Sequence, residues 1–177
     1  MPVYFKNTSH DIVFGESPIE KMGGNKITFS MYGEDIPIVL EDDEEIIKIR
    51  YNDYNLIYLT DKGNLYGCGQ NTNGRLGLSN DITTVTSFVK IAENVKNFMA
   101  YTTMLWYLTN DGDLYGCGVN TYGNQGSGNT TNVTTLTKRA ENVKKIFCFG
   151  FTTWYIDNND DLYGCGYNEY GEQGSGN

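Results

Sequence analysis

The sequence predicts an all-β repeat fold, built of propeller blades or of β-solenoid coils, and three observations carry that prediction. Leu65-Tyr66-Gly67-Cys68-Gly69 recurs as Leu114-Tyr115-Gly116-Cys117-Gly118 and as Leu162-Tyr163-Gly164-Cys165-Gly166, at spacings of 49 and 48 residues. Each copy runs on into a matching Gly-rich tail, QNTNGRLGLSN, VNTYGNQGSGN or YNEYGEQGSGN. Each is also preceded by a run of β-forming residues and a short polar turn. A fixed period of ~20–50 residues marks a unit that cannot bury its own apolar face without a neighbour, and helical periodicity is weak throughout.

Taken in order, a unit opens on an apolar run: Ile46-Ile47-Lys48-Ile49, Val95-Lys96-Asn97-Phe98 or Val143-Lys144-Lys145-Ile146. The next run is rich in aromatic and β-branched residues, which suit a half-buried pleated surface: Leu56 to Thr60, Leu105 to Thr109 and Thr153 to Asp157. The equivalent Trp106 and Trp154 lie in mid-strand and read as core. Asp61-Lys62-Gly63-Asn64, Asn110-Asp111-Gly112-Asp113 and Asn158-Asn159-Asp160-Asp161 read as hairpin connections. Leu-Tyr-Gly-Cys-Gly is then the returning strand. Its glycines, Gly67 and Gly69, Gly116 and Gly118, Gly164 and Gly166, mark close backbone approach or a bulge. In the tails, Gly74 and Gly77, Gly123 and Gly126, and Gly171 and Gly174 align, which suggests positive φ. A phosphate cradle is disfavoured, because no Lys-Ser/Thr follows and no helix opens. The units span residues 31–80, 81–129 and 130–177. Residues 1–30 are strand-rich and form a cap or a shared blade, with Val3, Phe5, Val13 and Phe14 as capping contacts.

Composition narrows the function. The 177 residues carry a formal net charge of −9. Affinity for a phosphate backbone comes from Lys and Arg displacing counterions, so nucleic acid is excluded as a partner, and an anionic membrane surface with it. The run Glu41-Asp42-Asp43-Glu44-Glu45 reads as a solvated loop. No stretch approaches the ~18 apolar residues of a membrane span. The first residues lack a basic region followed by an apolar core, so a cytoplasmic location is expected. The three sequons, at Asn7, Asn129 and Asn132, matter only in a secreted chain. The four cysteines show no C-x-x-C spacing, and His10 is the sole histidine. No metal site or cofactor follows from them, and the cysteines read as buried free thiols. A calcium loop starting at Asp157 would need Gly at its sixth position and Glu at its twelfth, where Leu162 and Asn168 stand.

The pattern L-Y-G-C-G-x-N-x-x-G-x-x-G, preceded by a β run and an Asp/Asn/Gly turn, resembles the regulator of chromosome condensation repeat over roughly residues 46–177. The resemblance implies a β-propeller, in that family usually seven-bladed. Kelch propellers have a similar period, but their Gly-Gly doublet is missing. Two departures stand out. The family often carries a large aromatic where Cys68, Cys117 and Cys165 stand. Its tail usually reads Gly-Gln-Leu-Gly, whereas only the first unit keeps the leucine, as Leu76. Gln125 and Gln173 replace it, which predicts tails that pack less tightly or sit nearer solvent. Residues by which the family's founder grips nucleosomes or its GTPase have no identifiable counterparts. Three units make less than half of a seven-bladed ring. The sequence therefore reads as a fragment of a longer array, or as a short array in which two copies associate through open propeller ends.

No Ser-His-Asp or Cys-His cluster and no catalytic carboxylate pair is visible, so the expected function is non-enzymatic. It is a protein–protein interaction scaffold of this repeat type, with Arg75, Tyr122, Tyr167 and Tyr170 at loop positions as partner anchors. The alternative is a regulator or inhibitor of a partner enzyme, a GTPase exchange factor-like or ubiquitin-ligase accessory module.

Overall fold

The polar turns close hairpins in one recurring register: Leu59 pairs Leu65, Leu108 pairs Leu114 and Ile156 pairs Leu162. The computed structural model describes residues 5–7, 11–12, 27–31, 34–38, 40–41, 43–52 and 54–174. Val3, His10, Val13 and Phe14 lie outside them. Among the described residues four antiparallel sheets follow one another along the chain. The first contains β1 (Phe5–Asn7), β2 (Asp11–Ile12), β3 (Ile27–Met31) and β4 (Glu34–Ile38), in the order β2-β1-β3-β4. The second is a meander of β5 (Ile46–Tyr51), β6 (Asn55–Thr60), β7 (Leu65–Gln70) and β8 (Thr84–Ala92). The third repeats it with β9 (Val95–Tyr101), β10 (Met104–Thr109), β11 (Leu114–Gly118) and β12 (Val133–Ala140). The fourth has three strands, β13 (Val143–Phe149), β14 (Thr152–Asp157) and β15 (Leu162–Gly166). Separate meander sheets are propeller blades rather than solenoid coils. We call the last three sheets blades 1, 2 and 3. No helix among the described residues is long and apolar enough to cross a membrane.

Blades and sequence units are out of phase. β8 lies in the second unit yet closes the first blade, and β12 does the same one repeat later. The Gly-rich tails of the first two units therefore leave one blade, pack against the next, and only then does the chain return as the outer strand.

Successive side chains of a strand point to opposite faces, and here both faces are buried. Leu56 and Tyr58 pack back onto Ile36 and Ile38 of β4. Ile57 and Leu59 pack forward with Val95, Phe98, Leu105 and Tyr107 of blade 2. Met104, Trp106 and Leu108 then pack forward against Val143, Ile146 and Cys148 of blade 3. A cross-strand tyrosine pair recurs in each blade: Tyr58–Tyr66, Tyr107–Tyr115 and Tyr155–Tyr163 stack with ring centroids 5.0, 4.9 and 4.7 Å apart. Blades 1 and 2 also meet along their first strands, where Lys48 Nζ donates to Asn97 Oδ1 and to the Phe98 carbonyl, both at 2.6 Å.

The repeated glycines are explained by close approach and by backbone sign. Gly69, Gly118 and Gly166 have φ of +111°, +108° and +113°. A Cβ at Gly118 would run into the Thr103 carbonyl oxygen. Gly67, Gly116 and Gly164 lie instead beneath neighbouring side chains, which at Gly116 are Gln125 and the Trp106 ring. Cys68, Cys117 and Cys148 are buried free thiols and Cys165 is half-buried.

Two expectations are corrected. Gln125 is fully buried rather than near solvent, and its Nε2 donates to the Cys117 carbonyl at 2.8 Å. A glutamine fits there because its amide finds that carbonyl's second acceptor position within the buried tail. Glu44 of the acidic run is buried rather than solvated. Its carboxylate accepts hydrogen bonds from Thr60 Oγ1 at 3.0 Å and from Asn64 Nδ2, and so ties the β6–β7 turn to the strand that follows the run.

Candidate protein-binding surface

The tails are organised by an asparagine that the sequence reading did not single out. Asn71 Nδ2 donates to the carbonyls of Leu78, Ser79 and Ile82, while its Oδ1 accepts from the Leu76 amide at 3.0 Å. Asn120 does the same for the second tail, donating to Ser127 Oγ, Asn129 O and Thr131 O and accepting from the Gln125 amide at 2.7 Å. Asn168 Oδ1 accepts from the Gln173 amide, also at 2.7 Å. Recurrence one residue after each Leu-Tyr-Gly-Cys-Gly-x was the available signal. Short polar side chains that bond backbone groups in this way fix loops of irregular shape.

With the tails held, loop side chains gather where blade 2 meets blade 3. Tyr122, on the second tail, packs against Phe151 of the β13–β14 turn, with ring centroids 4.9 Å apart at 53°. It also meets Tyr167 edge-on at 5.0 Å and 84°. Tyr167 in turn meets Tyr170 at 6.3 Å. Three of the anchors expected from sequence thus form one aromatic rim, with Phe151 as an unexpected fourth member. Tyr170 is 81% exposed and Tyr122 43%. Phe149, the last residue of β13, is 67% exposed. Glu169 and Glu172 border the rim: the Tyr167 hydroxyl donates to Glu169, and the Tyr170 amide donates to Glu172 Oε2 at 2.9 Å. The Glu169 hydrogen bond pushes the Tyr167 phenol up to about 12.

Arg75 lies elsewhere. It is 7% exposed, its Nε donates to the Thr72 carbonyl at 3.0 Å, and its guanidinium sits 4.5 Å above the Tyr54 ring. It braces the first tail instead of joining the rim. The corresponding place in the second tail holds Asn124 and in the third Glu172, so the brace is particular to blade 1.

Chemistry at this surface is limited. Burial pushes the thiols of Cys68 and Cys148 up to about 12 and that of Cys165 to about 11, far from a reactive thiolate. Among the described residues no group of three His, Cys, Asp or Glu could hold a metal ion. In the Asp157–Asp161 run, the Asp157 carboxylate accepts from the backbone of Asn159 at 2.8 Å and of Asp161 at 3.0 Å, which shapes a hairpin turn.

Blade geometry and tail packing define a repeat β-propeller array, with a rim of loop aromatics between its second and third blades. The comparisons agree on the array. The family model described as the regulator of chromosome condensation (RCC1) repeat matches residues 46–75. No curated protein matches the chain. The crystal structure of human WBSCR16 superposes with a TM-score of 0.65 at 21% identity, covering 79% of this chain and 37% of that one. Yeast RCC1 (Prp20), in a crystal structure with Kap60, gives a TM-score of 0.61 at 19% identity, covering 77% and 33%. Prp20p from Saccharomyces cerevisiae, described with its binding to Gsp1p and histones, gives 0.59 at 16% identity, covering 77% and 34%. The fold is an RCC1-like β-propeller array, and the chain spans roughly a third of the length of these structures.

Proposed function

We propose that this chain is a non-enzymatic protein-interaction scaffold acting in the cytoplasm, and that Tyr122, Phe151, Tyr167 and Tyr170 form its contact surface. The observation that carries the reading is the rim itself. Loop aromatics that are mutually packed yet exposed are pre-organised anchors of the kind that dominate interface energetics. The acidic border and the net charge of −9 favour a partner segment rich in Lys and Arg over nucleic acid. The likeness to yeast Prp20, described with Kap60, Gsp1p and histones, supports a protein partner. Regulation of a partner enzyme, whether by GTPase exchange or as a ubiquitin-ligase accessory, is the narrower form of the same reading and depends on the partner's identity.

The test is quantitative affinity capture with the tagged chain, wild type against Tyr122→Ser/Tyr170→Ser, with circular dichroism to show that both fold. Proteins held through the rim fall at least about tenfold in the variant, as loss of two aromatic anchors implies. Capture that is unchanged contradicts the reading.

A further inference from the structure

We infer that the first strands β5, β9 and β13 line the axial side of the array as a binding site for a small polyanion bearing two or more phosphate groups. Charge placement carries it. The chain holds 22 Asp and Glu against 13 Lys and Arg. These three strands nevertheless carry Lys48, Arg50, Lys96, Lys144 and Lys145, and no acid. Each is the edge strand on which its blade begins. The blades converge there. β9 packs on β13, Lys48 of β5 bonds the Phe98 carbonyl of β9, and Asn52 Nδ2 donates to the Tyr101 carbonyl at 3.4 Å, whereas the outer strands β8 and β12 stand further apart. Strands on which propeller blades converge face the central channel, so the cationic side is the axial one. β9, at the centre of the set, has a first strand on either side.

The register repeats the placement. Lys48, Asn97 and Lys145 pair with Leu59, Leu108 and Ile156, which are equivalent residues of the second strands. Lys96 and Lys144 are each the extra residue of a bulge, which turns a side chain out of the ladder. Lys48 reports the local field. Burial, and next the charge of Arg50, lower its amine, and only the Cys148 thiol on β13 acts the other way; no carboxylate offsets them. Its hydrogen bonds go to the neutral acceptors Asn97 Oδ1 and Phe98 O, so an ammonium with three donors has one left to give. Arg50 spends one N–H on the Ile49 carbonyl at 3.0 Å. Asp160 takes up Lys144 at 2.5 Å, while the ion pairs among the described residues leave Arg50, Lys96 and Lys145 without a carboxylate. A cleft lined by one sign of charge focuses the field and concentrates counter-ions. The cations come from three converging strands instead of lying along one, which suits a compact ligand over an extended segment. Four of the five are lysines, the point charges that meet phosphate oxygens.

The probe is inorganic tripolyphosphate, titrated calorimetrically into the 177-residue chain in metal-free buffer. Saturable binding at one site per chain is expected, with a thermal midpoint that rises with ligand concentration. Arg50 and Lys96 are exposed, so Arg50→Gln/Lys96→Gln keeps its circular dichroism. It weakens binding at least about tenfold, as loss of two charge-assisted hydrogen bonds implies. Lys90→Gln/Lys138→Gln removes the same charge from the outer strands and leaves binding within about twofold at ~0.15 M salt, where distant charges are screened. The inference is overturned if tripolyphosphate does not saturate, if the inner-strand variant binds as well as wild type, or if the outer-strand variant loses as much. It is overturned too if a hexaglutamate peptide binds as tightly, which would mark an acidic partner segment instead. Tyr122→Ser/Tyr170→Ser leaves tripolyphosphate binding unchanged even where it abolishes partner capture.

Discussion

One carbonyl in each blade shows how single residues decide the packing. The Cys68 carbonyl accepts from Asn55 Nδ2 at 3.5 Å, and the tail residue over that strand is Leu76. In blade 2 the polar partner has changed strands: Met104 replaces Asn55, and Gln125, in the leucine place, donates to the Cys117 carbonyl. Blade 3 follows blade 2, with Gln173 Nε2 3.1 Å from the Cys165 carbonyl. Gln125→Leu alone removes this hydrogen bond and costs about 0.5–1.5 kcal/mol in urea denaturation. Adding Met104→Asn moves the donor back to β10 and recovers most of that loss, so the two changes are non-additive. Asn120→Ala removes the organiser of the second tail and costs about 2–3 kcal/mol by the same measurement, since several buried groups lose partners together. Lys48 sets a pH dependence. Burial, and next the charge of Arg50, hold its amine down at about 8, below the ordinary 10.5. Between those values the unfolded chain keeps a proton that the folded chain has released, so stability gains from this residue as pH rises through the window. Cys68 and Cys148 act oppositely, their contribution being lost as pH climbs from 9 towards 12. Thermal melts of wild type and Lys48→Met between pH 7.5 and 10 separate the two, because only the wild type carries the lysine's upward contribution.

Among the elements, the returning strand depends most on its glycines. Gly118→Ala places a side chain at φ +108° against the Thr103 carbonyl, and strain of this kind costs about 1–3 kcal/mol before the clash is counted. The expected outcome is a blade-2 variant at least about 2 kcal/mol less stable, read from its denaturation midpoint. Much of this was legible in the sequence, because a threefold recurrence exposes what a single strand hides. The strands, the hairpin turns, the positive φ of the tail glycines and the place of the cysteines could all be read from periodicity. What escaped was whatever depends on a partner distant in sequence. Gln125 can be buried because a carbonyl eight residues earlier accepts its amide. Glu44 is buried because Thr60 and Asn64 reach back to it. Arg75 points inward because Tyr54 lies beneath it. The rim was legible in three tyrosines, but Phe151 entered only when the second tail was seen to pack on the third blade.

Over the whole molecule one rule repeats: each blade is completed by the next. Forward-facing Ile57 and Leu59 are covered by blade 2, and forward-facing Met104, Trp106 and Leu108 by blade 3. The corresponding Trp154 and Ile156 are only half-buried, and Leu162 is exposed. Repeat arrays derive their stability from such nearest-neighbour interfaces. The proposed contact surface lies at one such junction, where the second tail meets the third blade. Amide hydrogen exchange of the native chain, resolved by strand, tests this directly. Protection of β6, β7, β10 and β11 should approach that of global unfolding, while β14 and β15 exchange at least about tenfold faster through local opening. Equal protection across all three blades would contradict the account, because the third would then be completed by something other than a following blade.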